Sequence, residues 1–189
     1  MKREVSDKNI LDRFVDDFVK VIEKHCKYIV VSGFVSISHG RSRGTEDIDM
    51  IMEKLTLDKF IFLNKDLDRA GFECLQSSKV EDIYDYLVRK DSVRYVRKGN
   101  FLPEMELKFV KDELDELQIV TRTKLPLSGL DIYFSNIEMN IAFKEELLKS
   151  DKDIEDARHL RLIYEDKISE TLINDFKKMI RKWRLKDER

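Results

Sequence analysis

At 189 residues the chain is long enough for one generous domain, or a domain with a helical appendage, and 42% hydrophobic residues suffice for a buried core. Charged residues reach 39% yet nearly cancel to a net −2, so no global field draws the chain onto nucleic acid or anionic lipid, and any such contact has to be local. Cys26 and Cys74 are isolated and read as reduced thiols, and neither a signal-type apolar block follows Met1 nor does any long apolar run occur, so the expectation is a cytoplasmic protein with no membrane partner.

Residues 7–26 place Ile10, Leu11, Phe14, Val15, Phe18, Val19 and Ile22 at helical spacing among acids and lysines, which predicts an amphipathic helix packed on a sheet. The apolar run from Tyr28 predicts a strand over 28–32. A short helix near 34–38, a turn-rich loop over 39–45 and a second strand over 46–53 follow. Thr56 is a candidate cap for a helix carrying Phe60, Leu63 and Leu67, which Gly71 stops, and Phe72 to Leu75 is a brief strand candidate. Val80, Ile83, Tyr84 and Leu87 suit a helix, Ser92 to Arg97 alternates as a strand, and Gly99-Asn100 turns the chain.

In the next strand candidate, 104–110, Met105, Leu107 and Phe109 share one face while Glu104, Glu106 and Lys108 share the other. Asp131 to Phe134 is a further strand candidate. Ser135-Asn136-Ile137-Glu138 is a capping-box pattern in which the Ser135 hydroxyl and the Glu138 side chain satisfy reciprocal backbone donors. From there the pattern is helical to the end. The fold class is therefore α/β (α+β), a mixed sheet flanked by helices and followed by a C-terminal helical bundle, with a boundary that divides 1–134 from 135–189.

The stretch from Ser32 to Met52 carries the chemistry. On a strand, Asp47 and Asp49 project side by side while Ile48 and Met50 enter the core. Two adjacent carboxylates repel unless a cation lies between them, and hard oxygen donors suit Mg²⁺ or Mn²⁺. Taken alone, an acid pair at this spacing is more often a solvated edge. Arg41 and Arg43, just upstream, have the geometry for bidentate bonds to phosphate or stand in water beside Glu46. His39 reads as a bystander, and Thr45 as a bridge across the loop.

Gly33-Phe34, then the loop, then Asp47-Ile48-Asp49 resembles the signature of the nucleotidyltransferase fold superfamily, the DNA polymerase β-like group. The resemblance implies a nucleotidyltransferase-type mixed sheet and two-metal phosphoryl transfer, with Asp47 and Asp49 holding the ions and Glu106 as the third carboxylate from a neighbouring strand. Lys108 beside it would neutralise phosphate or hold the acceptor. Ser32, Gly33 and the amides opening the next helix would meet the β and γ phosphates of an NTP, where free N–H groups and the helix dipole favour anions. The chain departs from the pattern at Phe34, where the superfamily usually has Gly or Ser; a bulky residue there either crowds the triphosphate or turns into the core.

A second run, Ser135 to Leu160, with Lys144 and then Lys152-Asp153-Ile154-Glu155-Asp156, is similar to the helical part of the abortive-infection toxin nucleotidyltransferases, the AbiEii and MenA-like group, and their archaeal relatives. That likeness implies that Lys144, Asp153 and Asp156 face the active site and bind nucleotide; on residues alone they form a solvated helix face joined by charge pairs. Together the resemblances imply a Mg²⁺-dependent (or Mn²⁺-dependent) transferase moving NMP from an NTP such as ATP to a hydroxyl. The acceptor implied is a tRNA 3′ end or other RNA, with protein and small-molecule acceptors open and an antitoxin as a partner. The alternative is a nucleotide- or RNA-binding module that kept the fold without turnover. The basic stretch Lys177 to Arg189 reads as a final helix whose Trp183 fills the core, against an RNA contact as the other reading.

Overall fold

A computed structural model describes residues 9–185. The first helix, α1 (Ile10–Ile22), starts where Asn9 accepts from the Asp12 amide at 2.9 Å while the Asp12 carboxylate accepts from the Asn9 amide, a reciprocal pair that satisfies two helix-end donors. Residues 7 and 8 of the expected helix lie outside the described residues. Then come β1 (Tyr28–Val31), α2 (Gly33–Ser38), β2 (Asp47–Met52), α3 (Leu57–Arg69) and β3 (Phe72–Cys74). Next are α4 (Val80–Val88), β4 (Val93–Arg97), β5 (Glu104–Phe109), α5 (Glu113–Val120), β6 (Thr123–Lys124) and β7 (Tyr133–Phe134). The chain continues with α6 (Ile137–Phe143), one π-helical turn (Lys144–Leu148), α7 (Asp151–Ile163) and α8 (Glu170–Arg184).

The described strands form one mixed sheet in the order β3-β4-β5-β2-β1-β7-β6. β2 runs antiparallel to β1 and parallel to β5, and both β2 and β5 alternate half-buried and buried residues along their length. Period-two alternation of this kind sends Ile48, Met50 and Met52 with Met105, Leu107 and Phe109 into the core. Rings seal that face: Phe60 of α3 and Tyr84 of α4 meet Phe109, and Phe18 of α1 meets Phe72 and Tyr95. The opposite face, bearing the acids, looks toward α5, α6 and α8. A single cluster of buried side chains runs from Phe14 through the sheet to Ile180. Among the described residues no helix is long and apolar enough to cross a membrane.

Several expectations need correction. The cap of α6 is Asn136, whose side chain accepts from the Met139 amide at 2.7 Å; Ser135 sits one residue too early, and its buried hydroxyl has no hydrogen-bond partner among the described residues. Glu138 instead accepts from the Ser169 amide, at the start of α8. The strand expected over 131–134 is only Tyr133–Phe134, because it has one residue of pairing with β1 before α6 begins. Helix α5 was not anticipated. It is capped by Asp112, whose carboxylate accepts from the Leu114 and Asp115 amides, and its interleaved acids leave no clean apolar stripe. Trp183 does not fill the core: it is 38% exposed, with the Lys182 ammonium 5.2 Å from its ring centroid, and α8 packs through Ile173, Phe176 and Ile180. Residues 186–189 of the basic stretch lie outside the described residues.

The capping assignment predicts that Asn136→Ala lowers stability by about 1 kcal/mol, whereas Ser135→Ala, which removes a hydroxyl that accepts and donates nothing, changes it little. Urea denaturation of the two variants checks this ordering.

Candidate active site

The parallel register of β2 and β5 sets Asp47 beside Glu104, Asp49 beside Glu106 and Ile51 beside Lys108. Carboxylates from two strands thus share one face. Lys108 reaches back between them, its Nζ 2.6 Å from Glu106 Oε1 and 3.3 Å from Asp49 Oδ1. Arg94 of β4 closes the other side, with Nε 3.2 Å from Glu104 and a terminal nitrogen 3.6 Å from Glu106. Asp47 is turned toward the loop, where the Thr45 hydroxyl donates to its Oδ1 at 2.8 Å.

The charges of this row follow from burial and neighbours. Burial pushes the Asp49 carboxyl up, and the like charges of Glu106 and Asp47 add to it, against the Lys108 ammonium and a hydrogen bond from Ser32. Glu106 is also penalised by burial, but the Lys108 and Arg94 cations more than offset this and hold it below the ordinary range. Burial opposes the charge on Lys108 too, and Glu106 and Asp49 outweigh it, so its pKa rises.

Ser32, between β1 and α2, adopts φ 65 and ψ −141, a backbone region that non-glycine residues avoid, and lines the same cavity as Asp49. Strain of this kind persists where surrounding structure over-determines it, most often at functional sites. A Cβ on the next residue, Gly33, would lie 3.1 Å from the Arg43 guanidinium, a tight contact that the arginine would have to relieve by shifting.

The other expected site residues form a second cluster. Asp156 of α7 is fully buried and receives Arg41 and Arg43, both at close range, together with the Lys144 ammonium at 2.9 Å. Asp153 lies 3.7 Å from the same ammonium, and Arg41 also bonds Glu155 and the Lys152 carbonyl. The arginines are therefore held on α7 rather than standing in the loop. Burial, opposed by Asp153 and assisted by the Arg43 and Arg41 charges, pushes Lys144 down to about 8. His39, outside the expected site, is structural: its Nδ1 donates to the Val35 carbonyl at 2.6 Å, leaving Nε2 to accept from the Tyr164 hydroxyl at 2.7 Å.

One residue of the second cluster, Lys144, shares a cavity of about 300 Å³ with Ser32, Asp49 and Lys108 of the sheet side and with Gln118 and Asn140, whereas Arg41, Arg43, Asp153 and Asp156 do not line it, nor do Asp47 and Glu106. Gln118, Asn140 and Arg94 were not singled out from sequence, because they enter the site only by strand pairing or helix packing; Thr45, read there as a bridge across the loop, bonds Asp47.

No protein-family model matches the chain, and neither does any curated protein. Solved structures do. The solution structure of the antibiotic-resistance factor ANT(2'')-Ia is similar with a TM-score of 0.55 at 12% identity, over 91% of this chain and 91% of that one. A crystal structure of ANT(2'')-Ia in complex with adenylyl-2''-tobramycin gives 0.53 at 15% identity, over 90% and 99%. JHP933 from Helicobacter pylori gives 0.50 at 16% identity, over 90% and 74%.

The chain has the nucleotidyltransferase fold. Within that fold the departure at Phe34 is harmless to the site, because the ring is 1% exposed and turned into the core. Whether the acids suit a divalent ion is a question of donor chemistry. Among the described residues no three His, Cys, Asp or Glu side chains already stand within reach of one ion; an ammonium takes the place between Asp49 and Glu106. Lys108 thus marks the point where these hard oxygens call for positive charge. Asp49 and Glu106 are hard oxygen donors of the kind Mg²⁺ and Mn²⁺ take, and Lys108 Nζ holds the place between them.

Two outcomes follow from the second cluster. Asp156→Asn leaves Arg41, Arg43 and Lys144 with an uncompensated buried charge, so stability should fall by about 3–5 kcal/mol; an unchanged urea midpoint would show that the cluster is not structural. Because folded Lys144 loses its proton near 8 rather than at the ordinary 10.5, the unfolded chain binds more protons between those values and stability rises with pH across that window. Lys144→Met should abolish that rise relative to the parent chain in denaturation curves taken along the pH series.

Proposed function

We propose that the chain is a nucleotidyltransferase moving a nucleoside monophosphate from an NTP to a hydroxyl, with Asp47, Asp49 and Glu106 as ligands for Mg²⁺ or Mn²⁺. The observation that carries this reading is the pairing of Asp49 with Glu106 across β2 and β5, beside strained Ser32 at the end of β1. A divalent ion held there supplies the positive charge that lowers the pKa of an attacking hydroxyl and stabilises departing pyrophosphate. Ser32 and the backbone at Gly33 bind phosphate oxygens. Lys108, released from the carboxylates, moves its charge onto the triphosphate or the acceptor. Arg41, Arg43 and Lys144, with Asp153 and Asp156, hold the loop and the described C-terminal helices together, so that these helices close over the site on the sheet. The new oxygen–phosphorus bond forms at the α phosphate as its bond to the β phosphate breaks.

The acceptor we favour is an RNA hydroxyl, the tRNA 3′ end implied by the likeness to the toxin group, in which case a cognate antitoxin would accompany it. ANT(2'')-Ia with adenylyl-2''-tobramycin supports a small-molecule hydroxyl as the competing acceptor. A cytoplasmic setting suits either one.

A second reading is favoured by Lys108 itself. An ammonium already seated between Asp49 and Glu106 is what a nucleotide- or RNA-binding module without turnover would use as a permanent counter-ion. Transfer of label from each α-³²P NTP into RNA, protein and aminoglycoside, with and without Mg²⁺, separates the two. Transfer that needs Mg²⁺ and drops at least about a hundredfold in Asp49→Asn supports the enzyme. Binding without transfer in the parent chain, and Mg²⁺ binding gained only in Lys108→Met, supports the module.

A further inference from the structure

The cavity beside Asp49 holds two amides with only one end free. Asn140 of α6 is 5% exposed and Gln118 of α5 is 3% exposed, and both line the cavity. The Asn140 Nδ2 group donates to the Ser135 and Asn136 carbonyls at 2.8 and 2.9 Å, and the Gln118 Nε2 group donates to the Asp115 carboxylate at 3.3 Å. Backbone carbonyls and carboxylates only accept, so chemistry fixes which way each amide faces. The carbonyl oxygens are the ends left over, and neither has a partner among the described residues.

The cations around the same cavity are largely spoken for. Lys108 is held by Glu106 and Asp49, Lys144 by Asp156, and Arg184 by Asp112 and Asp115. Lys90 and Lys111, which have no carboxylate within salt-bridge distance among the described residues, are exposed. The amide oxygens of Asn140 and Gln118 are thus acceptors in the wall with no hydrogen bond among the described residues, and Phe143 and Leu147 add apolar surface beside them. A wall of that kind suits a flat ring with N–H donors on its edge rather than a phosphate. At about 300 Å³ the space also suits a small ligand rather than a macromolecule.

Resting on the nucleotidyltransferase reading, we propose that Asn140 and Gln118 read the base of the bound NTP through their carbonyl oxygens and select a base with an exocyclic amino group over one presenting a carbonyl at that position. An amino group completes both amides. A carbonyl there meets two acceptors, leaves buried oxygens unpaired and repels them, which is the arrangement that gives strong discrimination between near-identical ligands.

Isosteric pairs test this in the intact chain. ATP and ITP differ at the purine edge by an amino group against a carbonyl, as CTP and UTP do at the pyrimidine edge. Calorimetric titration in the presence of Mg²⁺ should show ATP binding at least about tenfold more tightly than ITP, or CTP than UTP. Gln118→Met, of similar volume and without the acceptor, should bring the preferred pair to within about threefold, by weakening the better member and relieving the repulsion on the poorer one. Equal affinities within both pairs in the parent chain would overturn the base assignment and leave the transferase reading standing. Absence of binding by all four nucleotides would overturn both. If Gln118→Met does not fold, the two pairs measured on the parent chain decide the matter alone.

Discussion

Four carboxylates, Asp47, Asp49, Glu104 and Glu106, lie on one face of two paired strands, and like charges so placed repel unless cations stand among them. The arrangement depends on Lys108 between Asp49 and Glu106 and on Arg94 across Glu104 and Glu106. These cations come from the same sheet as the acids, so the pairing that creates the repulsion also supplies its remedy. The balance is uneven: the neighbouring cations hold the Glu106 pKa below its ordinary range, while burial and its acidic neighbours raise that of Asp49.

A second ionic centre joins the parts that the first requires. Fully buried Asp156 gathers two arginines from the loop before β2 and one lysine from the π-helical turn. Breaking such a centre is costly, because each cation would be left in a low-dielectric setting without its partner. The loop leading into Asp47 is thereby anchored to α7, and the guanidinium of Arg43 rests against Gly33. His39 and Tyr164 tie α2 to the end of α7 in the same way. The cavity between sheet and helices belongs to both halves, and its two inward amides are oriented by hydrogen bonds to α5 and to the turn before α6.

The sequence by itself determined the order of helices and strands, the alternation of β2 and β5, and the presence of an acid pair downstream of Ser32 and Gly33. These are properties of local period and capping, which neighbouring residues settle among themselves. Where two capping residues stood side by side, as at Ser135 and Asn136, the pattern was ambiguous by one residue and the backbone took the later one. Helix α5 escaped because acids interrupt its apolar positions. Only the tertiary structure decided that Glu106 rather than Glu104 lies opposite Asp49, that Lys108 occupies the space between them, that Arg41 and Arg43 turn to Asp156, and that Gln118 and Asn140 enter the cavity at all. Strand register and helix docking join residues far apart in the chain, and the Coulomb and hydrogen-bond energies that choose their partners depend on distances no local pattern contains.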